Sequence, residues 1–251
     1  MSIRAFALCL TTALSAASTS ADLITLEPKH DNTLYEDPQG LLANGSGQYL
    51  FAGLTATGAK RRALLSFDLS DIPQGSSINS VELSLYMSRT ITSPLPMTVH
   101  RVTSPWGEGP TDAPGEEGGG APVLPGDATW THSLYDDTAW QSPGGDFINL
   151  PSATRIVGNV GYYRWSSQGL ISDIQDWISN PAANHGWLLR GFEETGIDTT
   201  AKRFDSRENP DPTHRPTLVI DYTPVPAPGS LLISVVALAA LCRGRPWRAS
   251  G

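Results

Sequence analysis

Two short basic runs contain the residues best suited to binding chemistry. The first run is Lys60, Arg61 and Arg62, and the second is Lys202 and Arg203. An arginine fork can bind a carboxylate through two parallel hydrogen bonds. The two runs therefore predict a patch for an acidic glycan such as a polyuronate.

The arginines could instead be structural. Internal ion pairs would join Arg62 or Arg207 to a carboxylate of the same domain, and the candidates are Asp68, Asp205 and Glu208. The run Ser206, Arg207, Glu208 is typical of a tight turn that needs internal partners, which favours this alternative for Arg207.

Aromatic rings offer a second kind of sugar contact. Sugars stack their axial C–H faces on exposed aromatic rings, whereas buried tryptophans are simply large core residues. Trp106, Trp130 and Trp140 flank a glycine-rich stretch, so we predict them to be ligand-binding residues. Trp177 and Trp187 lie on apolar-patterned elements, and we expect them in the core.

Three aspartates beside turns are candidate ligands for a structural calcium ion, which prefers carboxylate and carbonyl oxygens. They are Asp31, Asp127 and Asp146. Their spacing is not that of an EF-hand loop, so calcium is one possibility, and no other cofactor is indicated.

Catalytic motifs are sparse, and no catalytic residue is predicted. The five histidines are scattered without metal-binding spacing, and neither a Gly-x-Ser-x-Gly motif nor a phosphate-binding glycine loop is present. The adjacent acids Glu116 and Glu117, or Glu193 and Glu194, could serve a glycosidase, and Tyr162 or His185 could serve a lyase as base. Nothing in the sequence selects these residues.

Composition limits the classes of partner. Residues 22–224 contain 13 of the 17 basic residues and all 25 acidic residues, which gives a net charge near −12. Such a charge argues against nucleic acid as a partner. Both cysteines, Cys9 and Cys242, lie in the terminal segments, so no disulfide or thiolate site is expected between them.

Short strands must position these groups. Residues 81–88 and 218–223 alternate between apolar and polar side chains, and residues 62–69 and 97–102 are further strand candidates. Turns rich in glycine and proline separate them, as in a sandwich or barrel. The apolar residues of 170–178 follow helical spacing instead, which predicts one short amphipathic helix at an end of a sandwich.

The glycine-rich stretch at residues 103–128 is the longest segment without a strand pattern. It carries seven glycines, five prolines and five acidic residues, with no basic residue. Long loops of this kind are either functional or disordered. We predict a mobile surface excursion between two strands, with an ordered binding loop as the alternative.

The two ends of the chain resemble sorting signals. Residues 1–21 place Arg4 before an apolar stretch and then small residues, which predicts a secretory signal peptide. Residues 225–251 combine a Pro-rich spacer, a short apolar run and terminal arginines. This order resembles the PEP-CTERM signals processed by exosortases, with Ala227 at the usual glutamate position. It implies an exosortase-like partner and membrane contact only through this segment.

Between these ends, a series of local motifs resembles the DNRLRE-domain family of exported bacterial proteins. The motifs include NGSG (44–47), RRALLSFDL (61–69), IPQGSSI (72–78), WGEG (106–109), DATW (127–130), NHGW (184–187) and KRFDSREN (202–209). The resemblance implies a jelly-roll-type β-sandwich over residues 22–224. Relatives accompany polysaccharide-degrading enzymes, and a related family binds alginate-like acidic glycans.

The sequence therefore predicts an all-β protein, a jelly-roll-type sandwich with one short amphipathic helix. We expect it to be secreted to the cell envelope or extracellular matrix, where it binds acidic or neutral polysaccharide or acts as a scaffold without catalysis. The alternatives are a polysaccharide-cleaving lyase or glycosidase, and a purely structural surface protein.

Overall fold

The structure is a computed structural model that describes residues 20–194 and 199–225. Residues Ala21–Pro224 form one compact unit. The predicted signal peptide (1–21) and sorting segment (225–251) lie outside the described residues, apart from Ser20, Ala21 and Val225. No helix of the described residues is long and apolar enough to cross a membrane.

Strands make up most of the described secondary structure. They are β1 Asp22–Leu26, β2 His30–Tyr35, β3 Leu42–Ala43, β4 Tyr49–Leu54, β5 Lys60–Ser66, β6 Ser77–Thr90, β7 Leu95–Arg101, β8 Ala121–Pro122, β9 His132–Leu134, β10 Thr138–Ala139, β11 Ala153–Val157, β12 Gly161–Trp165, β13 Trp187–Arg190, β14 Lys202–Asp205 and β15 Thr217–Thr223. The helices are α1 Gln168–Ser179 and two 3₁₀ turns, η1 Pro181–Ala183 and η2 Pro212–His214.

The main sheet is antiparallel and curls on itself. Its strand order is β1-β15-β6-β14-β4-β5-β13-β7-β11, while β12 pairs with β6 and β2 pairs with β5. Residues 49–52 of β4 pair with β14, whereas Gly53 and Leu54 pair with β5. Gly53 has φ +116°, and a Cβ there would lie 2.7 Å from the carbonyl oxygen of Thr200. Glycine is therefore required where β4 passes between the two halves of the sheet.

Strand β6 shows how the sequence alternation builds the core. Val81, Leu83, Leu85 and Met87 are at most 2% exposed, whereas the intervening Tyr86 is half-buried on the outer face. The inward side chains join residues of β5, β7 and β13 in one apolar core between the two halves. The period-2 prediction for this segment is confirmed.

Helix α1 covers part of this core. Leu170, Ile174, Trp177 and Ile178 are buried at spacings of three and four residues, as the sequence pattern predicts. The side chain of Gln175 links the helix to the start of β6 through hydrogen bonds with Ile78 N and Ser76 O.

The predicted all-β sandwich with one short amphipathic helix is confirmed. Few sheet neighbours are consecutive in sequence, as in the predicted jelly-roll type.

The glycine-rich segment at residues 103–128 packs on the sandwich through its own buried groups, unlike the predicted mobile excursion. Its strand β8 pairs with β3. The side chain of Glu117 is buried and accepts hydrogen bonds from Asn44 Nδ2 at 2.9 Å, Gln48 N at 3.0 Å and Tyr49 N at 2.9 Å. A buried carboxylate with three donors fixes the chain around it, which the low apolar content of the segment concealed.

The N-terminus of α1 offers a test of local stability. The hydroxyl of Ser167 accepts a hydrogen bond from Leu170 N at 3.1 Å. We expect Ser167→Ala to lower the free energy of unfolding by about 1 to 2 kcal/mol, because it removes the cap of a helix donor and also the hydrogen bond that Ser167 Oγ donates to Ser152 O. Urea unfolding followed by tryptophan fluorescence measures the change. The control Ser179→Ala removes an exposed hydroxyl in the last turn, and an effect there as large as at Ser167 would contradict the capping role.

Candidate functional site

Residues from both predicted basic runs meet in one pocket, here called the basic pocket. It has a volume of about 280 Å³ and is lined by Arg61, Arg89, Lys202, Arg203 and Glu116, among others. Arg61 is the second residue of β5, Arg89 is the penultimate residue of β6, and Lys202 and Arg203 are the first two residues of β14. Four cations and one carboxylate therefore surround the pocket in a domain of negative net charge.

Lys202 is fully buried, with 0% of its surface exposed. Its Nζ donates hydrogen bonds to Thr90 Oγ1 at 3.0 Å and to Ser93 O at 3.4 Å. Within the described residues, no carboxylate oxygen lies within 4.0 Å of this ammonium. Burial lowers the pKa of Lys202, since the charged form loses its hydration.

Arg61 is also buried, with 7% of its surface exposed. Its guanidinium lies 4.7 Å from the ring centroid of Tyr35 and donates to the carbonyl oxygens of Lys60 at 2.9 Å and Gly118 at 3.4 Å. In the part of the chain that the structure describes, it forms no ion pair with a carboxylate. Burial lowers the pKa of Arg61 as well.

The other two arginines share one exposed carboxylate. Arg89 and Arg203 both donate to Glu116 Oε2, and the side chain of Glu116 is 70% exposed. Arg203 also stacks on Tyr49 at 3.8 Å and donates to Ser88 Oγ, which fixes its position on the outer face of the sheet. Arg89 stands outside the basic runs from which the site was predicted, and the sequence indicated Glu116 only as a possible glycosidase acid.

Lys60 and Arg62 point away from the basic pocket, because successive side chains of strand β5 project to opposite faces. Lys60 pairs with Glu36 at 2.9 Å. Arg62 binds both carboxylate oxygens of Glu193 at 2.8 Å and stacks on Trp130 at 4.9 Å. Arg62 therefore forms an internal ion pair, as in the structural alternative. Its partner is Glu193, which is not one of the predicted carboxylates.

The three predicted sugar-binding tryptophans lie in two different environments. Trp130 and Trp140 are 7% and 5% exposed and belong to a second apolar cluster under the loops. Trp106 is half-buried and lines a separate cleft of about 600 Å³, here called the large cleft. The structure therefore places Trp106 at an open site and the other two in the interior. Trp177 and Trp187 are in the core, as expected.

The three predicted calcium ligands do not come together. Asp127 accepts from Thr111 and from Leu124 N, and Asp146 accepts from Ser104 Oγ and from the amides of residues 141 and 142. Asp31 accepts from Arg207 N at 2.8 Å. Each aspartate thus fixes a separate loop, a role that turn position alone did not reveal.

Asp31 lies instead in an acidic cluster with Glu108 and Glu208. Among residues 20–194 and 199–225, this is the only group of three or more metal-binding side chains whose ligand atoms lie within 4.8 Å of one another. Arg207 Nη1 lies 3.1 Å from an oxygen of each glutamate, which agrees with the internal alternative for Arg207. Burial and then the neighbouring carboxylates raise the pKa of Asp31, and burial raises the pKa of Glu208.

No protein-family model matches the chain, and no curated protein matches it significantly. The resemblances to DNRLRE domains and PEP-CTERM signals therefore remain predictions, and the geometry of the described residues is what supports a function.

The acidic cluster predicts an unusual pH dependence. Because the folded state holds the proton of Asp31 more tightly than the unfolded chain, stability falls as pH rises from about 4, the unfolded value, through the raised folded pKa. We expect Asp31→Asn to remove this loss, so that its stability relative to wild type increases between pH 4 and pH 8. Urea unfolding across this range measures the difference.

Asp211→Asn is the control for the direction in which stability changes with pH. Hydrogen bonds from Thr213 lower the pKa of Asp211, so its carboxylate stabilises the fold above about pH 4 and loses this contribution on acidification. The relative stability of Asp211→Asn should therefore decrease as pH rises. Parallel profiles for the two variants would contradict the assignment at Asp31.

Proposed function

We propose that the domain at residues 22–224 is a non-catalytic binding module for polysaccharides that carry acidic groups, exported to the cell envelope or extracellular matrix. The observation that supports this proposal is the pair of buried cations, Lys202 and Arg61, which line one pocket without a carboxylate partner among the described residues. Their position fits the recognition of an anionic group by the pocket.

The energetic reasoning starts from desolvation. Moving a cation out of water is unfavourable unless an anion or several hydrogen bonds replace the water. Lys202 has two acceptors, both uncharged, and Arg61 has only carbonyl oxygens and an aromatic ring. A carboxylate or sulfate in the pocket would supply the missing negative charge. Ionisable groups whose pKa is shifted by burial, as it is for Lys202 and Arg61, concentrate at functional sites.

The pocket size suits one charged group of a longer ligand. A volume of about 280 Å³ lies just below the usual range for a pocket that encloses a whole drug-sized molecule. One acidic sugar ring can enter, while the rest of the polymer would lie outside. Arg89 and Arg203 both pair with the exposed carboxylate of Glu116. Neighbouring acidic groups of the polysaccharide could reach them there.

The charge of the whole domain restricts where a polyanion can bind. A net charge near −12 repels such a polymer from most of the surface, so attraction is confined to the basic pocket. This favours a specific acidic glycan over nucleic acid, which binds through extended arrays of phosphate contacts.

Lys202→Met tests the proposal, because methionine retains the length of the buried stem and removes the charge. We expect the affinity of the full-length protein for polyuronate oligosaccharides to fall at least about 10-fold, because the buried ammonium attracts an anion in the pocket through a medium of low dielectric constant. The melting temperature should stay the same or rise, because a desolvated charge is removed. Isothermal titration calorimetry and thermal unfolding measure the two quantities.

The controls separate this proposal from its alternatives. Arg155→Gln removes one exposed positive charge on strand β11 and should leave affinity unchanged. Wild-type protein that binds no acidic glycan would favour a purely structural role, and release of reducing or unsaturated ends would favour an enzyme. Asp198 lies outside the described residues, so Asp198→Asn is included. Binding that appears only in this variant would mean that an internal carboxylate occupies the site.

Glu116→Gln provides a test in the opposite direction. Glu116 competes with an anionic ligand for Arg89 and Arg203, and its own exposed ion pairs contribute little to stability. We expect this variant to bind polyuronate about 2- to 10-fold more tightly, with an unchanged melting temperature. Weaker binding would show that Glu116 contacts the ligand favourably. The same calorimetric titration decides between these results.

A further inference from the structure

The large cleft is chemically different from the basic pocket. It lies between the ends of β2 and β5, the turn before β6, the segment at Trp106 and the C-terminal end of α1. Its volume of about 600 Å³ is within the range of small-molecule binding sites. This is enough space for a sugar ring together with part of a neighbouring one.

The aromatic wall of the large cleft is held in place before any ligand binds. Trp106 Nε1 donates to the carbonyl oxygen of His185 at 2.8 Å. The ring of His30 packs edge-on against Trp106 at 6.3 Å, and His30 Nδ1 lies 3.2 Å from Glu108 Oε2. Because these contacts fix the indole, a stacking ligand would not have to order it.

The floor of the large cleft is apolar. Phe67, Trp177 and Ile178 line it and are each at most 4% exposed. Trp177 Nε1 is itself buried and has no acceptor among the described residues. Polar side chains that include Gln74 and Asn184 complete the lining. A pyranose ring has apolar C–H faces and hydroxyl groups around its edge. The apolar floor and the polar side chains of the cleft match these two surfaces.

The charges of the large cleft nearly cancel. Lys29 and Asp68 both line it, and hydrogen bonds from Ser70 followed by the charge of Lys29 lower the pKa of Asp68. Burial and then Arg101 lower the pKa of His185, which favours its uncharged form. Unlike the basic pocket, the large cleft has no excess of one charge that would select an anion.

We infer that the large cleft is a second carbohydrate site, which binds an uncharged sugar with Trp106 as its stacking platform. This inference takes polysaccharide as the ligand class from the proposed function but depends on different residues. Trp106 supplies the stacking surface, and the polar rim supplies hydrogen bonds to hydroxyl groups.

The two sites lie near opposite ends of one strand. Arg61 at the beginning of β5 lines the basic pocket, and Ser66 at its end lines the large cleft. Five residue steps along a strand correspond to about 17 Å. One domain could therefore hold an acidic chain at one site and a neutral chain at the other, which would make it a cross-linker of two polysaccharides.

Titration of the full-length protein with neutral hexasaccharides of glucose, mannose and galactose tests the inference. We expect one of these probes to bind and Trp106→Ala to weaken it about 10-fold, as for loss of an aromatic contact. Gln74→Ala, an exposed change in the cleft lining, should weaken binding in a correctly folded protein even if Trp106→Ala does not fold. Tyr162→Ala, at an exposed ring outside the cleft, should have no effect.

Cross-variants keep the two proposals distinct. Lys202→Met should leave neutral-sugar binding unchanged, and Gln74→Ala should leave polyuronate binding unchanged. Immobilised polyuronate should capture the wild-type protein together with a fluorescent neutral hexasaccharide, whereas Gln74→Ala should retain the protein and lose most of the label. If no neutral probe binds wild type at millimolar concentration while polyuronate does, the second site is wrong and the proposed function stands. If neutral probes bind and polyuronate does not, the second site stands and the proposed binding of acidic polysaccharide is wrong.

Discussion

The buried carboxylate of Glu117 is the constraint on which the basic pocket depends. Its oxygens are held by the side chain of Asn44 and by two backbone amides at the start of strand β4. Its neighbours therefore have fixed positions: Gly118 offers its carbonyl oxygen to Arg61, and Glu116 lies between two arginines. A long glycine-rich segment would otherwise have little apolar surface to hold it, since burial of apolar area is the main stabilising contribution to folding.

The two candidate sites show how one sandwich can separate two kinds of recognition. In the basic pocket, buried charges raise the energy of the unliganded protein and favour an anionic ligand. In the large cleft, Trp106 and an apolar floor offer surface that is attractive to a ligand of any charge, and the polar rim restricts which hydroxyl arrangements fit. Because both sites lie on turns and strand ends of a rigid core, sequence changes at either one need not disturb the other.

Much of the fold could be predicted from the sequence, because the alternation at residues 81–88 and the helical spacing at 170–178 report local geometry. The site was only partly predictable. The structure brings Arg61, Lys202 and Arg203 of the two basic runs to one pocket, whereas Arg62 belongs to an internal ion pair. Arg61 and Arg62 differ because they project from opposite faces of β5, and the sequence alone does not show what packs against each face. The meeting of distant residues, such as Glu116 with Arg203, depends on long-range packing that no local pattern encodes.

The pairing of strand β15 has a mechanical consequence. This strand is hydrogen-bonded to β1 on one side and to β6 on the other, and both ladders are antiparallel. A force applied along the strand axis at Thr223 would load both ladders in shear, so that many hydrogen bonds must break together. A force across the sheet would open them one after another. The last described strand of the domain is therefore held on both edges in the direction of greatest resistance to force.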